Sequence, residues 1–182
     1  MIAVRPDALL VSALPDYRAA ALVVQLASSV LVVAQMTASS AARGLVALRD
    51  MGVQPQLLAS SLGIAMGQRL VRMICRICRT PAEAPAPQTL AAHGISADEA
   101  RKMSFFRGKG CPSCNTIGYR GRRAMFETLP ASPEVRATLE RGSAAEIEQA
   151  AIECGMITVR ERCLALVTSG VTTFDEFARL RL

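Results

Sequence analysis

Two Cys-x-x-Cys pairs constrain this chain more than any other feature of its 182 residues. The first pair is Cys75 and Cys78, the second is Cys111 and Cys114, and 32 residues separate the two pairs. Each pair can place two thiolates on one metal ion, and two pairs complete the tetrahedron that zinc prefers in structural sites. The sequence therefore predicts a zinc ion that closes a long excursion at its base. Binding of the metal is expected to supply folding energy to this excursion.

Two other chemistries use the same residue types and stay open at this point. A thioredoxin-like redox centre needs one Cys-x-x-Cys motif after a strand, and an iron–sulfur cluster takes four thiolates. Cys154 and Cys163 belong to neither pair and are predicted to be small buried apolar residues. His93 is the single histidine, and it is predicted to be a solvated residue of a linker.

The composition indicates a folded chain with an aliphatic core. Hydrophobic residues make up 51% of the sequence and aromatic residues only 4%, with no tryptophan. This apolar content is too high for a disordered chain. The 6 cysteines are too few for a secreted disulfide scaffold of this length, and in a reducing compartment paired cysteines indicate metal binding.

The formal net charge of +6 is unevenly distributed. Residues 69–123 hold 11 of the 21 lysines and arginines but only three acidic residues. A basic face of this kind can meet nucleic acid, anionic lipid, nucleotide phosphates or an acidic protein. A zinc-ribbon protein that binds nucleic acid is therefore an alternative. Against it, only Phe105, Phe106 and Tyr119 lie among the basic residues, which is too few for a base-stacking platform.

The first part of the chain alternates strand and helix patterns. Residues 8–11 and 30–34 are apolar on both faces, as buried parallel strands are, and residues 16–26 between them have a helical pattern. Ser39 is predicted to cap a second helix that ends at Gly52. This order predicts an α/β layer, and because two strands are too few for a stable sheet, the layer is expected to belong to a larger fold.

The same part of the chain contains two apolar stretches that resemble targeting or membrane segments in composition. Residues 19–36 carry no charge. The length of this stretch is at the lower limit for a helix that spans a membrane. Polar residues fall at the centre of this stretch, and we interpret it as helix, turn and strand. A signal peptide is not expected, because the short apolar run near the start has no small-residue cleavage site after it.

The rest of the chain is predicted to be mainly helical. Residues 57–74 are interpreted as a long helix broken at Gly63 and Gly67, and a proline-rich linker covers residues 81–87. After the second cysteine pair an all-helical tail is expected, with Ser132 as the N-cap and Pro133 at the first position of its first helix. Ser-x-x-Glu or Thr-x-x-Glu capping boxes support these helices, and they begin at Ser96, Ser143, Thr158 and Thr173.

Several segments resemble the type II secretion and type IV pilus assembly ATPases. The first are residues 48–55, 57–62 and 68–72, the last of which precede Cys75. The most specific is residues 110–122, Gly-Cys-Pro-Ser-Cys-Asn-Thr-Ile-Gly-Tyr-Arg-Gly-Arg, followed by Phe126-Glu127. Residues 154–158 and 170–173 complete the match, which extends over nearly the whole chain.

The resemblance implies an α/β fold with three consecutive parts. These are a partial RecA-like layer of the P-loop NTPase type over residues 1–74, a four-cysteine zinc subdomain over 75–130, and a helical bundle over 131–182. It also implies a cytoplasmic hexameric motor, peripheral at the inner membrane, that uses ATP and Mg²⁺. The implied partners are other motor subunits and the platform proteins of the secretion or pilus machine, and nucleic acid is not expected.

The sequence departs from the family at its catalytic motifs. No G-x-x-x-x-G-K-[ST] loop occurs in the chain, so the phosphate cradle is missing. Ala13 stands where the family has the glutamate that orients water, and Pro15 stands where it has arginine, whereas Asp16 is kept. Thr37 replaces a motif histidine. The resemblance therefore implies a zinc-stabilised subunit or remnant that does not hydrolyse ATP alone, with half of a split but active ATPase as an alternative.

Overall fold

A computed structural model describes residues 6–180 of the chain. Within this range the strands are β1 (Ala8–Val11), β2 (Leu31–Ala34), β3 (Ile64–Ile74), β4 (Arg79–Pro81), β5 (Phe106–Gly108) and β6 (Tyr119–Pro130). The helices are α1 (Tyr17–Leu26), α2 (Ala41–Asp50), α3 (Pro55–Ser61), α4 (Pro87–Ala92), α5 (Ala97–Lys102), α6 (Pro133–Leu139), α7 (Ala144–Glu153), α8 (Val159–Thr168) and α9 (Phe174–Arg179).

The described residues pack into two units, and each unit is made of two separate chain segments. The first unit contains the residues up to Gly67 together with Glu127–Ile157. The second unit contains Gln68–Phe126 together with the residues from Thr158 onward. The first two of the three changes of unit fall within strands, because Gly67 lies in β3 and Glu127 lies in β6, and the third falls between Ile157 and Thr158, just before α8. The predicted domains 1–74, 75–130 and 131–182 follow chain order and stay a prediction.

The first unit contains the parallel strand pair that the sequence predicts. β1 and β2 are parallel, with Ala8 opposite Leu31 and Val11 opposite Ala34. The helix between them, α1, begins at the N-cap Asp16, whose carboxylate accepts a hydrogen bond from the Ala19 N–H at 2.9 Å. The interpretation of residues 19–36 as helix, turn and strand is therefore confirmed. None of the helices within residues 6–180 has the length and apolar character required to span a membrane.

The expectation that both strands are buried is wrong for the described residues. The side chains of Leu10, Leu31 and Val33 are 79%, 66% and 54% exposed. The reason is that this sheet has only two strands in the described part of the chain, so no further strand or layer covers them. An isolated parallel pair is unusual, because parallel sheets are normally covered on both faces.

Aliphatic residues from helices and from β6, near and far in sequence, form the core of the first unit. The N-cap of α2 is Ser40, one residue after the predicted cap, and the Ser40 hydroxyl accepts a hydrogen bond from the Arg43 N–H. Arg49 of this helix donates a hydrogen bond to the Gly142 carbonyl at 2.7 Å, and this bond connects α2 to the loop between α6 and α7. The fully or nearly fully buried members of the core are Ala20, Ala42, Leu45, Leu58, Leu129, Val135, Leu139, Ile147 and Ala151.

The prediction of a helix over residues 57–74 is correct up to Ser61 and wrong from Ile64 onward. α3 ends at Ser61, and the residues after Gly63 form the 11-residue strand β3, which pairs with β6. Exposure alternates along the first part of β3, as it does when successive side chains point to opposite faces. Gly67 cannot carry a side chain here without displacing Glu127, because a Cβ would lie 2.6 Å from the Glu127 Oε1.

The tail after the second cysteine pair is not all-helical. It opens with the 12-residue strand β6, and only then do α6 to α9 follow. The predicted caps are confirmed for α6 at Ser132, α7 at Ser143 and α8 at Thr158. The single helical bundle over 131–182 is not confirmed, because α6 and α7 belong to the first unit whereas α8 and α9 belong to the second.

The second unit has its own core and one cap that departs from prediction. Thr173 caps α9 through the Glu176 N–H, but the Glu176 carboxylate accepts from Arg72 and Arg179 instead of closing a capping box. The capping box at Ser96 is confirmed in α5. The buried apolar core residues are Val71, Leu90, Ile95, Phe105, Met125, Val159, Cys163, Val167, Phe174 and Phe177.

Candidate metal centre

Strand ends bring the two cysteine pairs together in the second unit. Cys75 directly follows the last residue of β3, and Cys78 directly precedes the first residue of β4. β4 pairs antiparallel with β5, which ends shortly before Cys111. The excursion that contains α4 and α5 therefore leaves and returns along one two-stranded ribbon, and the cysteines lie at its base as the spacing predicts.

The backbone around the second pair is folded tightly. Cys111 is the N-cap of a short 3-10 helix, Pro112–Cys114, and the next two residues, Asn115 and Thr116, have left-handed backbone angles with φ of 49° and 61°. The Cys75 N–H donates to the Gly118 carbonyl at 2.9 Å. These turns point both thiols of the second pair at the thiols of the first pair.

Three of the sulfur–sulfur distances in the cluster match the edges of a tetrahedral metal site. The Sγ atoms of Cys75 and Cys111 are 3.8 Å apart, as are those of Cys78 and Cys114. The Sγ atoms of Cys111 and Cys114 are 3.7 Å apart, and all four lie within 4.8 Å of one another. A regular tetrahedron with zinc–sulfur bonds of about 2.3 Å has sulfur–sulfur edges of about 3.8 Å. The four cysteines are therefore close enough to hold one metal ion.

Backbone amides also prepare the cluster for a metal. Burial opposes ionisation of Cys114, but the N–H groups of Cys111 and Gly118 each donate to its Sγ at 3.3 Å, and the pKa of this thiol is lowered to about 6. Desolvation raises the pKa of the Cys78 thiol to about 12. A metal ion binds the thiolate form, so the amides around Cys114 favour the species that a metal needs.

The remaining cysteines and the histidine have different surroundings from the cluster. Cys163 is fully buried, as predicted, and burial raises its pKa to about 12. The prediction for Cys154 is wrong, because this residue is exposed and its Sγ lies 3.2 Å from the Ser132 hydroxyl. His93 is also not a plain solvated residue, because its ring packs edge-on against Phe174 with centroids 5.5 Å apart.

The positions at which the resemblance predicts lost catalytic residues lie in the first unit. Ala13 and Thr37 are both exposed, and they follow β1 and β2, respectively. Both positions are thus at the carboxyl ends of parallel strands, where α/β folds bind ligands. Asp16, the position at which the resemblance predicts a retained acidic residue, acts here as the N-cap of α1.

Glu127 is a structural residue for which sequence reasoning assigned no role. It is 5% exposed, and its Oε1 accepts a hydrogen bond of 2.6 Å from the N–H of Ala41, the first residue of α2. A carboxylate at this end of a helix also interacts favourably with the helix dipole. The signal in the sequence is a charged residue between Met125 and Leu129, on the face of β6 that alternation assigns to the core.

Comparison with known proteins decides the family. The sequence profile of the Type II/IV secretion system protein family matches residues 1–179. The chain belongs to this family. The resemblance to the secretion and pilus assembly ATPases, inferred from the motifs, is thereby confirmed.

Relatives from both branches of the Type II/IV secretion system protein family are similar to the chain. It is 35% identical over 173 residues to the Type IV pilus assembly ATPase PilB of Thermus thermophilus, a match that covers 94% of this chain and 19% of that protein. It is 30% identical over 176 residues to the Type II secretion system ATPase E of Vibrio cholerae, covering 96% of this chain and 34% of the relative. The chain thus spans between about a fifth and a third of the length of these relatives.

A solved structure supports the fold of the family. The X-ray structure of the Legionella pneumophila ATPase DotB superposes with a TM-score of 0.59 and covers 97% of this chain and 39% of the DotB chain. Sequence identity is 13%, so this likeness concerns the fold alone. A mixed α/β fold similar to that of an ATPase is consistent with the predicted fold class.

Proposed function

We propose that this chain is a zinc-stabilised part of a secretion or pilus assembly motor that contacts other motor subunits and does not hydrolyse ATP by itself. The observation that carries the proposal is the chemistry at the carboxyl ends of β1 and β2. The exposed residues there, Ala13 and Thr37, offer neither a general base nor a phosphate ligand. Asp16, the one acidic residue kept, is engaged as a helix cap.

ATP and Mg²⁺ come to this chain only through the family. Phosphoryl transfer needs a phosphate cradle, a metal ligand and a residue that orients water. The 182 residues contain no G-K-[ST] sequence for the cradle. A nucleotide site would therefore be completed by a subunit that carries a P-loop, and this chain would modulate that subunit.

The zinc ion is assigned a structural role. All four ligands of the cluster are cysteines, and structural zinc sites are closed by four protein ligands, whereas catalytic zinc sites keep one position open for water. The sulfur–sulfur distances of 3.7 and 3.8 Å suit such a closed site. The ion would hold the base of the excursion between Cys78 and Cys111.

The exposed strand pair supports contact with another part of the motor. Leu10, Leu31 and Val33 expose most of their apolar surface on an isolated parallel pair, which is a surface that soluble proteins usually cover. We propose that a motor subunit covers it, in an assembly that is hexameric in the family. The family resemblance also leads us to propose that the assembly is cytoplasmic and peripheral at the inner membrane.

The test is a mixing experiment with a P-loop-bearing motor subunit from the same organism. The purified chain should co-elute with that subunit in size-exclusion chromatography and change its ATP turnover. A variant with Leu10→Ser and Val33→Ser keeps the zinc cluster intact and should lose co-elution. Undiminished co-elution of this variant would contradict the assigned contact surface, and absence of any effect of the wild-type chain would contradict the proposed role.

A further inference from the structure

An arginine-rich pocket lies within the second unit, apart from the cysteine cluster. Its volume is about 390 Å³, and it is lined by Leu70, Arg72, Arg122, Glu176 and Arg179. Three guanidinium groups and one carboxylate give this lining a formal charge of +2. A concave surface with an excess of positive charge concentrates field lines and attracts anions.

Glu176 holds two of the arginines in fixed positions. Its side chain is fully buried, and Oε1 accepts from the Arg72 backbone N–H at 3.0 Å and from Arg179 Nη2 at 2.8 Å. Its Oε2 accepts from Arg72 Nε at 2.8 Å and from Arg179 Nε at 3.0 Å. Each oxygen thus has at least two donors, so the carboxylate is saturated and neutralises only one of the positive charges.

Arg72 is held a second time by an aromatic ring. Its guanidinium carbon lies 4.3 Å from the centroid of the Tyr119 ring. The Tyr119 hydroxyl is itself 2.7 Å from the Thr173 hydroxyl, which fixes the ring against the start of α9. The guanidinium is therefore pre-organised, and a ligand that binds it loses little side-chain entropy.

Donors remain available after these contacts are counted. Within residues 6–180, Nη1 of Arg72 and Nη1 of Arg179 have no hydrogen-bond partner, because Glu176 takes only the Nε and Nη2 groups. The side chain of Arg122 is exposed, and within residues 6–180 its guanidinium forms no hydrogen bond or ion pair. A purely structural role explains the Arg72–Glu176–Arg179 triad, but it does not explain Arg122 in the lining of the same pocket.

We propose that this pocket binds a phosphate-bearing anion, with Arg122 and the free Nη1 groups of Arg72 and Arg179 as its ligands. The arginine fork matches the geometry of phosphate oxygens and can bind them in bidentate fashion. A group of charge about −2 balances the pocket, and the volume of 390 Å³ admits a diphosphate-sized ligand rather than a single carboxylate. This site is independent of the P-loop and of the zinc cluster.

The test uses the full chain and inorganic pyrophosphate in isothermal titration calorimetry at constant ionic strength. We expect one site per chain, and about tenfold weaker binding in Arg122→Gln, because one charge-assisted contact is worth about 1.4 kcal/mol. The matched control is Arg123→Gln, which removes the same charge from the next residue of β6. Its side chain points to the opposite face of the strand, so it should bind nearly as the wild type does.

Three further arms make the outcome decisive. Arg122→Lys keeps the charge but loses the fork, and it should bind at an intermediate level. Competition by ADP would identify a nucleotide source of the phosphate, and Arg122-dependent binding to phosphatidylglycerol vesicles, but not to phosphatidylcholine vesicles, would identify a lipid source. Absence of pyrophosphate binding, or equal weakening by Arg122→Gln and Arg123→Gln, would overturn the proposal. In contrast, zinc content and co-elution with a motor subunit should be unaffected by either variant.

Discussion

Arg72 and Glu176, which are 104 residues apart in the chain, are joined through both the backbone and the side chain of the arginine. The backbone N–H of Arg72 reaches one carboxylate oxygen and its guanidinium reaches the other, so the contact fixes β3 against α9. The second arginine, Arg179, lies one helical turn beyond Glu176 and completes the triad. The second unit is therefore held together at this point by charge as well as by its apolar core.

Glu176→Gln is expected to destabilise the second unit by about 2 to 3 kcal/mol, because it removes a buried charge that accepts several hydrogen bonds from two arginines. The arginines are half-exposed, which keeps the loss below that of a fully buried pair. Urea denaturation measures the change. Glu99→Gln, which changes an exposed capping-box carboxylate in the same unit, is the control and should lower the free energy of unfolding by clearly less than Glu176→Gln does. Equal losses in the two variants would contradict the assigned role of Glu176.

The contribution of Glu176 should depend on pH in a defined direction. Burial disfavours its charged form, but the hydrogen bonds from Arg179 and Arg72 outweigh burial and lower the pKa of Glu176 to about 2. A carboxylate with a lowered folded-state pKa stabilises the fold above its unfolded pKa of about 4.3 and loses this contribution as the pH falls toward the folded value. The difference in unfolding free energy between wild type and Glu176→Gln should be constant from pH 8 to pH 6 and shrink between about pH 4.5 and pH 2. A difference that grows in this acidic range would contradict the assigned contacts.

Gly67 and Gly63 offer a paired test of the first unit. A Cβ at position 67 would meet three side-chain atoms of Glu127 at 2.6 to 2.9 Å, whereas a Cβ at position 63 would meet nothing within 4 Å. We expect Gly67→Ala to cost about 1 to 3 kcal/mol, as overpacking does, and Gly63→Ala to be nearly neutral. Chemical denaturation of both variants distinguishes them. Equal stabilities would mean that Glu127 moves aside without cost.

Local signals in the sequence predicted local structure well. The strands around Leu9 and Val32 and the caps at Ser132, Ser143 and Thr158 are present, because an apolar run, a Ser-Pro pair or a hydroxyl three residues before a glutamate acts within its own segment. The four cysteines lie close together, as predicted. This could be predicted because each Cys-x-x-Cys pair supplies two ligands, and a four-ligand metal site needs both pairs.

Structure that depends on distant partners was missed. β3 and β6 stabilise each other across more than forty residues, and neither segment alternates clearly enough on its own to exclude a helix. Glu176 has the sequence context of a capping box, but its carboxylate binds Arg72 instead of the backbone N–H of the N-cap residue. Arg72 is distant in sequence, so the spacing of residues does not show that it lies beside Glu176. The division into units was also hidden, because each unit combines segments from both halves of the chain.

The metal centre predicts one zinc ion per chain after purification under reducing conditions, measured by elemental analysis. Joint replacement Cys75→Ala and Cys111→Ala removes one ligand from each pair and should abolish retention of the metal. The control is Cys154→Ser, which changes an exposed cysteine outside the cluster and should keep the full zinc content. Zinc that persists undiminished in the double variant would place the metal elsewhere.

Removal of the metal should loosen the excursion before the rest of the chain. A strong zinc chelator is expected to raise amide hydrogen exchange in residues 76–110, because the ribbon of β4 and β5 is short and depends on the cluster at its base. The first unit contains none of the four cysteines and should keep its exchange pattern. Uniform loss of protection in both units would contradict a local structural role for the metal.

We propose that this chain does not turn over ATP alone, and phosphate release from the purified 182-residue chain measures that turnover. A P-loop-bearing motor subunit serves as the positive control, and a mock purification gives the background. We expect release by the chain to equal this background, with and without Mg²⁺, because Ala13 and Thr37 supply no catalytic group and no sequence motif supplies a phosphate cradle. Steady phosphate release above background that follows the chain through successive purification steps would contradict the claim.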